Sequence, residues 1–352
     1  MLRRFFYRLD LDPAFRVMDE AEDRLLKLEV LDQTLEAHYA TEQPEAPFYE
    51  LVDRYSDRSG HLLEELVLRL HDYAQSQIFP DVWLQDCQQV FVIGPDATLE
   101  ELRWYPMVQE LALAQLQNAR IALEDALRLA SDPSGPDNYV KPIRSDLELV
   151  ADLEQLVRAD RWDDLVEVCA KPKFVGARGK AKNEIEPEIG ERVKALREEA
   201  KKLIRELGKT IYTRPAHQML ADLRDLHRPM ETLIGLVEEF GAKYTQAKQS
   251  RGLVNFSDLE RLTLRLLLAP ESTPDRLIPS ETALELQEQF SEVLCDEYQD
   301  INPVQNALLG LVAGEYGGVG EKRPRLFVVG DVKQSIYRFR LAEPRIFLQR
   351  EI

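Results

Sequence analysis

Three cysteines, Cys87, Cys169 and Cys295, are all that the 352 residues contain. Far apart and odd in number, they make neither a disulfide framework nor a CxxC metal pair, and reduced thiols in the cytoplasm are the expectation. Long apolar runs are missing too. The amino terminus, "MLRRFFYRLDLDP", has too short an apolar cluster for a signal peptide or a membrane span. Outside the secretory route, the acceptor pattern at Asn255 to Ser257 has no meaning. Positive charge is in deficit: 45 bases face 63 acids, a net charge of -18, so the chain as a whole repels nucleic acid and anionic membrane unless its bases gather locally. No HExxH, G-x-S-x-G or CxxC pattern occurs.

A phosphate cradle of the form G-x-x-x-x-G-K-[ST] is also absent. Two segments approach it. "GARGKA" at Gly176 to Ala181 has too few spacers and puts Ala181 where a metal-binding hydroxyl belongs, so it reads as a basic exposed loop. "GEYGGVGEK" at Gly314 to Lys322 follows a helix and precedes a strand, the reverse of the required order, and reads as a turn.

What is present is a helix-forming chain, 44% hydrophobic with only 16 glycines. Leu25, Leu28, Leu31 and Leu35 recur at helical spacing within an amphipathic helix spanning residues 17–40. "LLEELVLRLHDYA" repeats the pattern after Gly60, and a long helix is expected around Pro106, which should kink or break it, up to the punctuation "SDPSGPDN" at 131–138. Further helices are read over 145–168, 189–207 and 216–250, the last interrupted at Pro229. "KPKFVGARGKAK" is a basic segment between the first two of these.

The character changes after Gly252. "NFSDLERLTLRLLL" reads as a helix capped by Ser257, and "ETALELQEQF" as another. "EVLCDE" and "RLFVVGD" are apolar, strand-like runs that each stop on an acid, with the helical "PVQNALLGLVA" between them. Strand, helix, strand is the unit of a parallel sheet. The last hundred residues are therefore expected to be part of a doubly wound α/β domain with buried strands, and the rest a large helical body.

Both strand ends lead into polar clusters, "DEYQD" at Asp296 to Asp300 and "GDVKQSIYRFR" at Gly330 to Arg340. Parallel neighbours place both at one rim, where open α/β sheets hold ligands, so the clusters should face one another. Asp296 is suited to holding Mg²⁺ and Glu297 to orienting a water for attack on a phosphoryl group. Gln334 offers an amide to a phosphate. Tyr337, Phe339 and Arg340 supply two aromatic faces and a guanidinium, the equipment for stacking unpaired bases. Taken singly, "DEYQD" is more often a solvated turn than a metal site, and an aromatic pair in a loop is usually local packing. In order and together they are far more specific.

These clusters resemble motifs II and III of the UvrD/Rep superfamily of DNA helicases, which read much like "DEYQD" and "GDxxQSIYxFR". Within it, "VGDVKQSIYRFRLAEPRIFL", "FFYRLDLDPAFRVMDEAE", "SDRSGHLLEELVLRLHDY" and "SRGLVNFSDLE" are similar to AddA-type subunits of AddAB helicase–nucleases, in order over nearly the whole chain. A departure is Asn255, where that group usually has Asp; no catalytic role is attached to it.

The resemblance implies a segment of an ATP-dependent DNA helicase and exonuclease for double-strand break repair and recombination, which couples ATP hydrolysis to translocation on single-stranded DNA. Asp296 would coordinate the Mg²⁺ of MgATP, Glu297 would be the catalytic carboxylate and Gln334 the γ-phosphate sensor. Tyr337, Phe339 and Arg340 would contact the strand. The implied fold is a mostly α-helical insertion plus part of a RecA-like α/β P-loop NTPase motor domain. Residues 1–12 would be the tail of the first part of motor domain 1A, residues 13–250 a 1B-type helical subdomain, and residues 251–352 the second part of 1A. The implied partners are single-stranded and duplex DNA and an AddB-like subunit.

The P-loop of that family would precede this chain and the second motor domain and nuclease would follow it, so an internal fragment is expected. Lys322, Arg323, Arg325, Lys333, Arg338, Arg340, Arg345 and Arg350 crowd the last thirty residues, as a DNA-facing rim requires, although those outside "GDVKQSIYRFR" also fit a charged helix end and turn. The alternative is a catalytically inactive DNA- or partner-binding helical module. A further one is assembly with a separate chain that carries the P-loop.

Overall fold

A computed structural model describes residues 1–9, 11–43, 45–55, 61–179, 181, 186–317, 325–335 and 341–350. The chain divides into two compact units, Val90–Leu226 and the remainder, Met1–Gln89 with His227–Ile352.

The Val90–Leu226 unit is helical. It holds α5 (Tyr105–Ala130), α6 (Val140–Arg158), α7 (Trp162–Ala170) and α8 (Pro187–Thr210). Pro106 neither kinks nor breaks α5. It lies in the first turn, where a missing N–H leaves no intrahelical bond unmade, and so begins the helix. Ala112, Leu116, Ala119, Leu123, Ala126 and Ala130 give α5 a small-residue stripe that packs with Val193, Leu196, Ala200, Ile204 and Leu207 of α8. Small side chains let two helix backbones approach closely. Gly208 serves the same end against α7, since a Cβ there would lie 2.8 Å from the carbonyl carbon of Cys169.

One ion pair is fully inside this unit. The Arg197 guanidinium on α8 donates to both carboxylate oxygens of Asp146 on α6, at 2.6 and 3.2 Å, and to the Val175 carbonyl at 2.5 Å. The side chains are 4% and 1% exposed. The pair thus pins the irregular basic segment after α7 to two helices. Gly179 of that segment has φ +80°, a loop conformation, in keeping with the expected basic loop.

The other unit begins with α1 (Glu20–Thr41), α2 (Pro47–Tyr55), α3 (His61–Gln75) and α4 (Pro80–Gln89). α1 opens on a reciprocal cap, Asp19 accepting from the Glu22 N–H and Glu22 from the Asp19 N–H. Its inward face is Leu26, Val30, Leu31, Thr34 and Leu35, while Leu25 is 68% exposed. Leu31 and Leu35 are thus buried as expected and Leu28 half-buried, while Leu26 takes the inward place expected of Leu25, because adjacent leucines offer two equally regular rows.

Helix α9 (Ala216–Ser250) does not stop at Pro229. The expected interruption does not occur. A proline forfeits one backbone bond, and the turns that follow are anchored by Leu233, Ile234, Leu236, Val237, Phe240 and Tyr244, all buried.

A polar network lies at the foot of this core. The Tyr244 hydroxyl donates to Asp23, which also accepts from Lys27 at 3.1 Å and from the Asn255 amide at 2.7 Å. Lys248 meets both oxygens of Asp258 at 2.6 and 2.7 Å and lies over the Tyr244 ring. Burial pushes its ammonium below the ordinary lysine pKa although Asp258 opposes the shift. Asn255, and not Ser257, caps α10 (Phe256–Leu267): its side chain accepts from the Asp258 N–H, and Asp258 returns a bond to the Asn255 N–H. An Asp at 255 would keep the cap but set a second carboxylate against Asp23.

The α/β part follows. β1 (Arg16–Val17) pairs in parallel with β2 (Leu253–Val254), a contact that two-residue strands gave no periodicity to reveal. After α11 (Glu281–Gln289), β3 (Val293–Cys295), α12 (Pro303–Ala313) and β4 (Leu326–Val328) form the expected unit. β3 and β4 pair in parallel with Val293 opposite Leu326 and Cys295 opposite Val328. α12 is held to α10 by Glu260, which accepts from Gln305 at 2.7 Å and Asn302 at 3.2 Å. Helix α13 (Arg345–Leu348) places Phe347 on Tyr298. The strands are not buried as expected: Leu294, Phe327 and Val329 are 70%, 62% and 50% exposed. Among the described residues the two strands have no sheet neighbour besides each other, which leaves an open edge on each, and the face that carries Leu294 and Phe327 is uncovered.

Two outcomes are expected. Asp146→Ala strands a buried guanidinium and should lower the unfolding free energy by about 3–5 kcal/mol in urea denaturation. The second concerns His38, whose ring nitrogens meet Glu42 and Glu239, the latter at 2.7 Å. Burial opposes its charge, but the bonds to both carboxylates more than offset this and raise its pKa. The stabilisation is then complete below the ordinary value of about 6.5 and lost as pH rises through the elevated folded value. Thermal melts of wild type and His38→Gln should converge as pH rises through that range.

Candidate functional site

Parallel pairing of β3 and β4 sends both chains out of the sheet on one side. β3 continues into Asp296 and Glu297, β4 into Gly330 and Asp331. The ladder extends past the strands, with the Val329 N–H donating to the Cys295 carbonyl and the Tyr298 N–H to the Val329 carbonyl, both at 2.9 Å. The two clusters are joined, as the strand order implies.

Asp296 and Glu297 are exposed, whereas Tyr298 and Gln299 are buried. Glu297 has φ 52° and ψ 41°, the left-handed region that a residue without Asn or Gly character seldom adopts. The Asp296 carboxylate accepts from the Glu297 N–H at 2.8 Å, and a turn over Tyr298–Asp300 follows at once. Strain of this kind concentrates at functional sites. The Glu297 side chain returns to its own loop, where its Oε2 accepts from the Gln299 amide at 2.7 Å.

Gln299 faces the other loop as well. Its Oε1 accepts from the Asp331 N–H at 2.9 Å. Gly330 makes room for this, because a Cβ there would overlap Gln299 Oε1 and lie 3.2 Å from the Tyr298 nitrogen. Asp331 then caps the short turn Val332–Gln334, accepting from the Lys333 N–H at 2.9 Å, and its second oxygen accepts from the Gln334 amide at 3.1 Å. Glu297, Gln299, Asp331 and Gln334 thus form one chain of hydrogen bonds. Asp300 Oδ1 and Ser335 Oγ are buried without a hydrogen-bond partner among the described residues.

Of the residues singled out in the sequence, Asp296, Glu297 and Gln334 are brought to one rim. Tyr337, Phe339 and Arg340 lie outside the described residues, as do Lys322, Arg323 and Arg338. Arg350 and Arg325 are engaged internally. Arg350 is paired with both oxygens of Glu315 at 2.6 and 2.7 Å and lies over the Tyr298 ring, and Arg325 donates to the Phe290 carbonyl at 2.8 Å. Gln299 and Gly330 were not singled out, although an amide inside an acidic run and a glycine at a strand exit were both visible. Gly330→Ala should displace the Gln299 amide and destabilise the fold by about 1–3 kcal/mol, read as a lower urea midpoint with an unchanged slope.

Comparison with known proteins accords with this geometry. The family described as UvrD/REP helicase N-terminal domain matches residues 1–351. Relatives whose names describe an ATP-dependent helicase/nuclease subunit match 99% of the chain: the protein from Moorella thermoacetica is 41% identical over 350 residues, 25% of its own length. Those from Pelotomaculum thermopropionicum and Bacillus pumilus are 39% and 40% identical over 352 residues, 27% and 28% of theirs. The chain therefore spans about a quarter of the length of these relatives. Exposed acids at a parallel-strand rim, a bonded second loop and a family match over nearly every residue lead to one assignment: the chain belongs to the UvrD/REP helicase family.

Proposed function

We propose that these residues are the nucleotide-sensing part of an ATP-driven DNA helicase–nuclease of the AddA type, working in double-strand break repair. The observation that carries the reading is the hydrogen-bonded rim, in which an exposed, backbone-strained Glu297 stands beside Asp296 and is connected to Gln334. The relatives' names, which describe an ATP-dependent helicase/nuclease, support it. In this reading residues 1–12 and 251–352 belong to a RecA-like motor domain 1A and residues 13–250 to a 1B-type helical subdomain. A cytoplasmic location and a second, AddB-like subunit complete the proposal.

The donor set suits the hard cation that accompanies a triphosphate. Among the described residues no cluster of three or more acids, histidines or cysteines could hold a metal by itself. Mg²⁺ needs no such cage, since it typically binds through one or two carboxylates together with substrate phosphates and water. Asp296, exposed at the rim, is the residue that would hold it, and the unpartnered Asp300 Oδ1 belongs to the same loop, just past Glu297. Magnesium bound with ATP neutralises charge developing on the phosphate oxygens.

The chain's own groups then have separate tasks. Glu297 accepts a proton from the attacking water and holds its lone pair toward the phosphorus. Gln334 presents its amide to the terminal phosphate, exchanging a bond now made to Asp331. Tyr337 and Phe339 stack on bases of a single strand, and Arg340 holds a phosphate, each stack contributing about 1–3 kcal/mol. The alternative, an inactive DNA- or partner-binding module, is favoured by one observation, the lack of a G-x-x-x-x-G-K-[ST] run in these residues.

Steady-state hydrolysis separates the two. On its own this chain should show no DNA-stimulated ATP turnover, for want of a phosphate cradle. In a motor that supplies the cradle, Glu297→Gln should lower kcat by roughly 10²–10⁴-fold while calorimetry still detects MgATP, and Asp296→Ala should weaken MgATP binding. DNA affinity indifferent to both ATP and Tyr337→Ala would favour the module instead.

A further inference from the structure

We propose that Gln299 is a positioning residue that uses its two amide atoms to hold Glu297 and the β4 exit loop in one fixed relation, so that a shift at Gln334 is transmitted to Glu297. The inference rests on the reading of the rim given above. Three observations carry it. First, Gln299 is 1% exposed, and both ends of its amide are used, Nε2 toward Glu297 Oε2 at 2.7 Å and Oε1 toward the Asp331 N–H at 2.9 Å. A buried amide so satisfied has little freedom to rotate, since a half-turn would set donor against donor and acceptor against acceptor.

Second, the space for Gln299 is made by an absent side chain. Gly330 precedes Asp331, and a Cβ there would collide with Gln299 Oε1. Third, the partner loop is itself closed by Asp331, whose carboxylate accepts from the Lys333 N–H and the Gln334 amide. The connection from Gln334 to Glu297 therefore runs through two side chains, Asp331 and Gln299. When Gln334 turns its amide to a phosphate, Asp331 loses that bond, and the N–H held by Gln299 is the next group along the chain.

The two halves of the amide can be tested apart. Gln299→Glu keeps an acceptor for the Asp331 N–H but replaces the donor to Glu297 by a carboxylate. Gln299→Leu removes both. In this chain, amide hydrogen exchange at Asp331 should stay slow in wild type and Gln299→Glu and accelerate at least tenfold in Gln299→Leu. In the cradle-bearing motor, Gln299→Glu should reduce kcat at least tenfold with KM for ATP within about twofold of wild type, since a misdirected Glu297 harms the chemical step and not ground-state binding.

A merely structural glutamine gives a different pattern. Gln299→Glu would then match wild type in kcat, and that result, with Glu297→Gln impaired, overturns the proposal while leaving the reading of the rim in place. Equal exchange at Asp331 in wild type and Gln299→Leu overturns it as well. Undiminished turnover in Glu297→Gln overturns the reading of the rim itself. Should Gln299→Leu fail to fold, Gln299→Glu and Gln299→Met carry the same comparison.

Discussion

Everything at the candidate site depends on one short parallel ladder. Three residues of β3 pair with three of β4, and because the strands run the same way, both chains must leave by the same edge. Only a crossover can join such strands, and α12 supplies it, capped at Asn302 and closed by Gly314 in the left-handed conformation. The two loops of the candidate site are brought together by this connection and bonded to one another through Gln299 and Asp331. Their acids would repel one another without it. The Gln299 amide, neutral and bipolar, donates to the Glu297 carboxylate and accepts from the Asp331 N–H, two tasks that a carboxylate cannot combine.

The helical bulk obeys another rule. Each of the polar insertions described above is matched by an opposite charge or a carbonyl before it is buried. Asp146 and Arg197 join one helix pair, Asp23 and Lys27 meet within α1, and Lys248 answers Asp258. Such pairs add little net stability compared with well-packed apolar side chains, but removing one member is costly. Two of them, Asp146 with Arg197 and Lys248 with Asp258, tie separate helices to one another. Asn255 shows the rule at work: it caps α10 and also donates to Asp23, a combination unavailable to aspartate at the same position.

Much of this was legible in the sequence because it is periodic or punctuated. The helices could be read from leucine spacing, and the strand, helix, strand unit from two apolar runs that end in acid. The acidic rim at Asp296 and Glu297 and the amide at Gln334 followed from that unit. What could not be read depended on packing partners. Pro106 and Pro229 were both expected to disturb helices, yet one begins α5 and the other is carried through α9 by its anchored turns. Ser257 looked like a cap from local pattern, while the cap is Asn255, reciprocally bonded to Asp258, and its further bond to Asp23 lies across 232 residues of chain. Gln299 was hidden for the same reason, since its importance comes from Asp331, on the far side of the crossover.

The left-handed backbone at Glu297 bears on which residues the position can accept. Glycine, asparagine and aspartate adopt that conformation at least cost, and aspartate would even retain the charge. Glutamate stands there instead. Its additional methylene lengthens the reach from a backbone held in a costly conformation. An acid one carbon shorter would rest more comfortably on that backbone and would have one methylene fewer with which to reach the Gln299 amide, now 2.7 Å from Glu297 Oε2.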